Sequence, residues 1–561
     1  MHIATMTLAP PSQDAVVPTL RKVPGPVSST AFLLCLIECA ERASYFGVRT
    51  VFSNFIQFPL PVGGNGAGAP RPGTQQTAGA LDRGLQFSNA FTLLFQFLVC
   101  TIPVFGGWLA DAKLGRYNVV VVGVWIGALS HVLMVTSAVP SLLQAGTAIA
   151  PFMISFFLLA FGTGLFKPNI VPMIVDQYHD HDQRSYTKVL DSGECVVVDP
   201  ETTIQRIVLI CYGLVNVGAL AGIPAAFSAK KVGFWLAFLV PALVYLPVPL
   251  LLALQRSKIS KAPARGSELS RFFKIIATAV KRNKGRVWAR DFWDAAKPSV
   301  WNAQYGITTE ASAETAVWTD RHVDEVRRTI STCQIFLLFP LYNLNDGGVG
   351  SVLTSQAASM TTNGAPNDLL GNINPIVIII ATPILTHVIY PLLNYHKIRF
   401  GPAKRLTLGF TLAWVSGILG AIVQWRVYET SPCRYYATGC DIGTGVSPLS
   451  VWWQVPTVAL GALSECFCFV TAYELAYARA PKNMKAIATS ILLFSNALSS
   501  VLGLLITPAI TDPNLIWIWA GPAVALFIQT CWFQWRFQDL DHDDYILYDD
   551  DDDDVRTSSH S

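Results

Sequence analysis

The residues with the most chemical potential lie in one apolar stretch, IECAERASYFGVRT, at 37–50. Glu38, Glu41 and Arg42 stand at i, i+3 and i+4, and Tyr45 and Arg49 follow at i+7 and i+11, so a helix aligns all five along one stripe. Two carboxyls beside a guanidinium can change ion-pair partners as one of them gains or loses a proton. The other reading of the stripe is a static salt bridge between helices, although buried ion pairs are poor stabilisers. Lys167, in FGTGLFKPNIVP, places a second charge inside an apolar run, and Pro168 removes a backbone donor beside it, which predicts a bent helix lining a cavity. Snorkelling of Lys167 toward a membrane face is the alternative.

Glu465, in VALGALSECFCFVTAYE, is the third such charge, and it falls in the second half of the chain. A zwitterion held between the halves would have its carboxylate drawn to Arg42, Arg49 and Lys167 and its ammonium to Glu465. Asn216 and Asn374 are amide partners for a peptide backbone, or else helix–helix hydrogen bonds. In GGWLADAKLGRYN, Asp111, Lys113 and Arg116 make a short charged turn that suits a gate latch between helices, or one that only sets topology.

These charges need a scaffold that hides them from lipid, because an ionised group at mid-bilayer costs about 2.5–3.5 kcal/mol on insertion scales. The chain has 561 residues, of which 52% are hydrophobic and only 14% charged, with a mean hydropathy of +0.41. That composition excludes an ordinary soluble protein and predicts an all-α polytopic membrane protein. Twelve spans are predicted, near 30–57, 86–110, 118–138, 146–175, 204–227, 232–253, 329–347, 370–394, 406–426, 451–475, 487–508 and 514–536.

The pattern divides the chain into a polar N-terminal segment (1–29), a six-helix bundle (30–253), a hydrophilic linker (254–328), a second six-helix bundle (329–536) and an acidic tail (537–561). Net charge is only +3, but most of the 40 Lys and Arg residues fall in segments that share a side with both termini, which places that side in the cytoplasm. Within the linker, ELSRFFKIIATAVKR reads as a surface helix with Phe272, Phe273, Ile275, Ile276, Ala279 and Val280 on one face. The first outer loop, PLPVGGNGAGAPRPGTQQTAG, is expected to be flexible, and the tail disordered. Cys433 and Cys440 share a predicted outer loop where an oxidising compartment permits a disulfide. No nucleotide-cradling motif, His-rich metal set or nucleophile–base pair is present, so neither a cofactor nor an enzymatic role is expected, and a gradient must supply any driving force.

At five points the sequence resembles the proton-dependent oligopeptide transporter (POT) family of the major facilitator superfamily, its fungal members in particular. These are the E-x-x-E-R of Glu38, Glu41 and Arg42, GGWLADAKLG, GTGLFKPN, YGLVNVG and AYARAPKNMK, and the likeness runs from Thr30 to Trp535. It implies a major facilitator-type fold and proton-coupled import of di- and tripeptides by alternating access. Glu38, Glu41, Arg42 and Lys167 would couple protons. Arg42, Arg49 and Lys167 would meet the peptide carboxylate, Glu465 the amine, and Tyr45, Asn216 and Asn374 would complete the pocket. The implied partners are short peptides, protons and the lipid bilayer, without nucleic acid or nucleotide, and the implied location is the plasma membrane, with the vacuolar membrane as the alternative. Three positions depart from the family pattern. Phe46 and Cys100 stand where a Tyr is common, and Gly348 stands where span seven usually has an acid or amide, with Asp346 close by. These departures keep open a carrier for a modified peptide or other small metabolite; a non-transporting nutrient receptor is a further alternative.

Overall fold

The computed structural model describes residues 22–179, 186–189, 194–261, 268–289, 291–300, 318–346, 348–397, 400–481 and 484–537. The acidic tail beyond 537, most of the N-terminal segment and part of the linker therefore lie outside the described residues. In chain order the main helices are α1 (Ser29–Gln57), α2 (Gly84–Leu109), α3 (Arg116–Ser137), α4 (Ile149–His179), α5 (Pro200–Ala219), α6 (Gly222–Lys231), α7 (Phe234–Tyr245), α8 (Pro247–Leu254) and α9 (Glu268–Arg282). The second half supplies α10 (Asp320–Cys333), α11 (Phe339–Asn345), α12 (Val352–Ala358), α13 (Ile373–Ile384), α14 (Tyr390–Tyr395), α15 (Pro402–Thr430), α16 (Val455–Arg479), α17 (Lys485–Ile506) and α18 (Leu515–Arg536).

Among the described residues, ten helical stretches are long and apolar enough to cross a bilayer. The other two expected spans differ from these for physical reasons. At 29 residues α1 is long enough to cross, but it carries Glu38, Glu41, Arg42 and Arg49. The seventh expected span, 329–347, is interrupted: α10 gives way to a 3₁₀ turn at Gln334–Leu338, and α11 ends at Asn345 before a glycine-rich turn. Gly348 has φ +83°, and a Cβ there would lie 2.6 Å from the Trp519 ring, so the turn packs against α18 only because this position is glycine.

The helices form two bundles. The aromatic cluster of Phe52, Phe55, Phe95, Phe152, Phe156, Phe234 and Phe238 fills the centre of the first. Phe336, Phe339, Tyr342, Phe410 and Phe533 fill the second. In the GGWLADAKLG motif, a Cβ on Gly106 would lie 2.6 Å from the Gly164 carbonyl oxygen, which explains the close packing of α2 on α4. Despite Pro168 and Pro172, α4 runs as a single helix.

Two small sheets lie outside the bundles. Lys22–Val23 pairs in parallel with Cys195–Val198, which pairs antiparallel with Tyr186–Val189. Met360–Thr361 pairs with Ser447–Ser450. Each sheet joins segments that the helix count puts on the same side of the membrane.

The first outer loop contradicts the expectation of flexibility. Its Asn65 side chain accepts from the Ala67 N–H at 2.9 Å and donates to the Val232 carbonyl at 2.7 Å, and Ala67, Ala69 and Ala78 are buried. The asparagine replaces the backbone partners that a glycine-rich loop would otherwise leave to water. In the linker, Phe272, Ile275 and Ala279 of α9 are buried against Phe292, Val323, Val326, Met484 and Ile487, whereas Phe273 faces away from that contact. Lys297 holds Asp294 at 3.2 Å and Asp324 at 3.1 Å, and these hydrogen bonds push its ammonium pKa up. Cys433 and Cys440 form a disulfide.

Candidate functional site

The charged stripe of α1 is buried inside the first bundle. Arg42 donates through Nε to Glu41 at 2.6 Å and lies 3.5 Å from Glu38. The second Glu41 oxygen accepts from the Thr163 hydroxyl of α4 at 2.9 Å. Among the described residues, one Glu38 oxygen has no hydrogen-bond partner. Lys167, also on α4, lies within electrostatic range of Arg42, Cys100, Glu41 and Glu38, without an ion pair to any described carboxylate. The Tyr45 ring separates the two guanidinium groups, with the Arg42 carbon 5.0 Å and the Arg49 carbon 6.0 Å from its centroid, and it stacks on Phe95.

A cavity of about 570 Å³ lies between the bundles. Its first-half wall carries Phe46, Arg49, Gln96, Tyr212 and Asn216; its second-half wall carries Asn343, Asp346, Gly348, Asn374, Glu465 and Phe469. The volume fits a small-molecule site. Of the residues expected to bind solute, Arg49, Asn216, Asn374 and Glu465 line the cavity, while Arg42, Tyr45 and Lys167 lie behind the wall. Arg42 is turned inward by its pairing with Glu41, and Tyr45 by its stacking on Phe95.

Glu465 accepts from the Asn374 amide at 2.5 Å, and the Asp346 carboxyl lines the same wall of the cavity. Asp346 is thus a cavity acid, displaced by two positions from Gly348. Asn216 donates to the Tyr212 carbonyl at 2.9 Å, so its amide oxygen remains for a solute. Arg49 lines the cavity on the wall across from Glu465.

The charged turn at Asp111 and Arg116, expected as a latch between helices, ties together helices of the first bundle. Arg116 binds both Asp176 oxygens, at 2.9 and 3.1 Å, and approaches Asp111 at 3.6 Å, so it clamps the ends of α2, α3 and α4 within one bundle. The contacts between halves lie at the opposite, outer end and are mostly uncharged. The Asn54 amide donates to Asn367 and to Asp368, both at 2.7 Å, and Asn367 donates back at 2.9 Å. Gln57 meets Ser355 at 3.0 Å, Ser88 meets Ser351 at 3.2 Å, and Asn89 meets Thr507 at 3.0 Å. Sequence reading missed this network because single amides and hydroxyls at helix ends carry no periodic signal, and because Asp368 fell just before the expected start of its span. The available signal was that Asn367, Asp368 and Asn372 cluster where an apolar span begins.

The chain is similar to known transporters along most of its length. The chain is 52% identical over 537 residues to the MFS-type transporter ucsM of Acremonium, covering 96% of this chain and 88% of that protein. It is 38% identical over 528 residues to the peptide transporter PTR2 of Candida albicans, covering 93% and 84%. Its fold matches the in meso crystal structure of the POT family transporter PepTSo with a TM-score of 0.66 at 19% identity, over 91% of this chain and 99% of that one. Residues 117–521 match the model of the POT family, and with two bundles enclosing a polar cavity this multi-pass membrane protein belongs to that family of peptide transporters.

Proposed function

We propose that the chain is a proton-coupled symporter that imports di- and tripeptides by alternating access. The observation that carries this reading is the division of charge across the cavity, with Arg49 on one wall and Asp346 and Glu465 on the other. A peptide bound between them would place its carboxylate near Arg49 and its ammonium near Glu465, with Asn216 and Asn374 reaching its amide groups. Bound ammonium would sit against Glu465, on the wall that also carries Asp346. Glu38, Glu41, Arg42 and Lys167 form the proton-coupling group. When Glu41 takes up a proton, its hold on Arg42 weakens, and the guanidinium can shift toward Tyr45 and the cavity. The two bundles, 30–253 and 329–536, would then move relative to each other while 254–328 and both termini stay in the cytoplasm. The plasma membrane is the proposed location, with the vacuolar membrane as the alternative.

A second reading is favoured by Phe46 and Gly348, which line the cavity without a hydroxyl or carboxyl, and by the resemblance to a relative named only as an MFS-type transporter. It is a carrier for a modified peptide or other small metabolite. Uptake of labelled dipeptides against a panel of other solutes, at an outside pH of about 5.5 and about 7.5, separates the two readings. Dipeptide uptake that rises in acid supports the first. Acid-stimulated uptake of another solute alone supports the second, and no acid stimulation of any solute refutes proton coupling.

A further inference from the structure

A second groove, of about 590 Å³, lies away from the central cavity at the inner end of α2. One wall is the last turns of α2 (Thr101, Val104, Phe105 and Trp108), and the other is the linker helix α9 (Leu269, Ser270, Phe273, Lys274 and Ala277). The apolar side chains here are open, with Phe105 47% and Phe273 56% exposed. The bilayer accounts for an open Phe105 on a spanning helix. It does not by itself account for Phe273, which α9 presents on the side opposite its buried Phe272, Ile275 and Ala279. The groove mouth is basic. Lys274 lines it, and the Lys113 ammonium sits 5.4 Å from the centre of the Trp108 ring.

Nearby carboxylates do not neutralise these two lysines. Glu268 is held by Arg271 at 2.8 Å and Asp111 faces Arg116 at 3.6 Å, so among the described residues neither Lys113 nor Lys274 has an acidic partner. Trp108, an apolar slot and two lysines at the same depth make a site with a greasy interior and a cationic rim. We propose that this groove binds an anionic phospholipid of the inner leaflet, one acyl chain lying between Phe105 and Phe273 and the phosphate held by Lys113 and Lys274. Because α9 packs on Met484 and Ile487 of the second half while α2 belongs to the first, the bound lipid bridges the two halves at their inner end.

The test uses the full-length protein in vesicles containing phosphatidylserine with a photoactivatable group in its acyl chain, and the matching phosphatidylcholine probe in a parallel sample. Peptides carrying the label are then mapped by mass spectrometry. The expected result is labelling of both 101–108 and 269–277 by the serine lipid, several-fold above the choline lipid. Lys274→Gln and Lys113→Gln should each reduce it about five-fold, the weight of one basic side chain at an anionic surface. Ala277→Trp, which fills the slot, should remove label from both walls while leaving the rest of the map unchanged. Equal labelling by the two lipids, or serine-lipid labelling that ignores both lysine variants, overturns the proposal. Absence of label from the groove also overturns it, and would mean that protein covers this face.

Discussion

In the first half of the molecule, Glu41 and Arg42 satisfy each other within one helix, and Thr163 takes up the remaining carboxylate oxygen. In the second half, Glu465 has an amide and a carboxyl for company, and Arg49 sits across the cavity on the other bundle. The Glu41–Arg42 pair closes on itself without a ligand, and in the proposed mechanism a proton opens it. Glu465 faces the cavity, where in the same proposal a solute amine supplies a cation. Coupling is thereby proposed for the first bundle and binding for the walls of both, and a carrier concentrates its solute only if the two communicate through the relative stability of its open states.

The largest effect that can test this contrast is on Glu41. Glu41→Gln keeps the shape and removes the titrating group, so uphill uptake under an imposed pH gradient should be lost, while counterflow of solute at symmetric pH persists. Vesicles preloaded with unlabelled peptide measure both, and unchanged accumulation would remove Glu41 from coupling. Glu465→Gln should do the reverse. Losing a charged hydrogen-bond partner costs about 1.5–3 kcal/mol, so apparent affinity for solutes with a free amine should fall roughly ten-fold or more, with little change for N-blocked analogues. If blocked and free solutes suffer alike, Glu465 is not the amine partner.

Smaller effects concern the network that holds the halves together. Asn54→Ala strips three hydrogen bonds and leaves Asp368 buried without that amide, which should shift the balance toward outer opening by roughly five- to ten-fold. A thiol reagent added outside to a Ser351→Cys background reads that shift, since Ser351 is 1% exposed in the closed arrangement. An unaltered labelling rate would show that the Asn54 cluster does not hold the closure. Smallest is Gly348→Ala. It places a Cβ against Trp519 at a φ that costs about 1–2 kcal/mol for an L-residue, so Tm in detergent should drop while the proton dependence of uptake is preserved. A Tm equal to that of the parent chain would mean that the turn relaxes freely.

The bundles were legible in the sequence because bilayer thickness fixes span length, and the stripe at Glu38–Arg49 because charge in lipid is too costly to be incidental. The interrupted seventh span was not, since the apolar run through Ile335–Leu344 conceals the 3₁₀ turn at Gln334–Leu338 that precedes Pro340. The placement of Arg42 and Tyr45 behind the cavity wall was equally hidden. A helical stripe gives the direction in which a side chain leaves the backbone, but Phe95 and Thr163, on two other helices, decide where it ends. The pinned first outer loop depends on partners far along the chain, Val232 for Asn65, Lys230 for Gln76 and Thr362 for Gln75.

The outer closure has a consequence for ionic strength. Amide and hydroxyl pairs such as Asn54–Asn367, Gln57–Ser355 and Asn89–Thr507 have no net charge for counterions to screen, in contrast to ion pairs, whose attraction fades as the Debye length contracts from about 30 Å to about 3 Å between dilute and molar salt. A carrier shut in this way holds its outer face closed with similar strength in fresh or briny surroundings. In the proposed function, the charges that external salt would screen are instead those of Arg49 and Glu465 in the cavity.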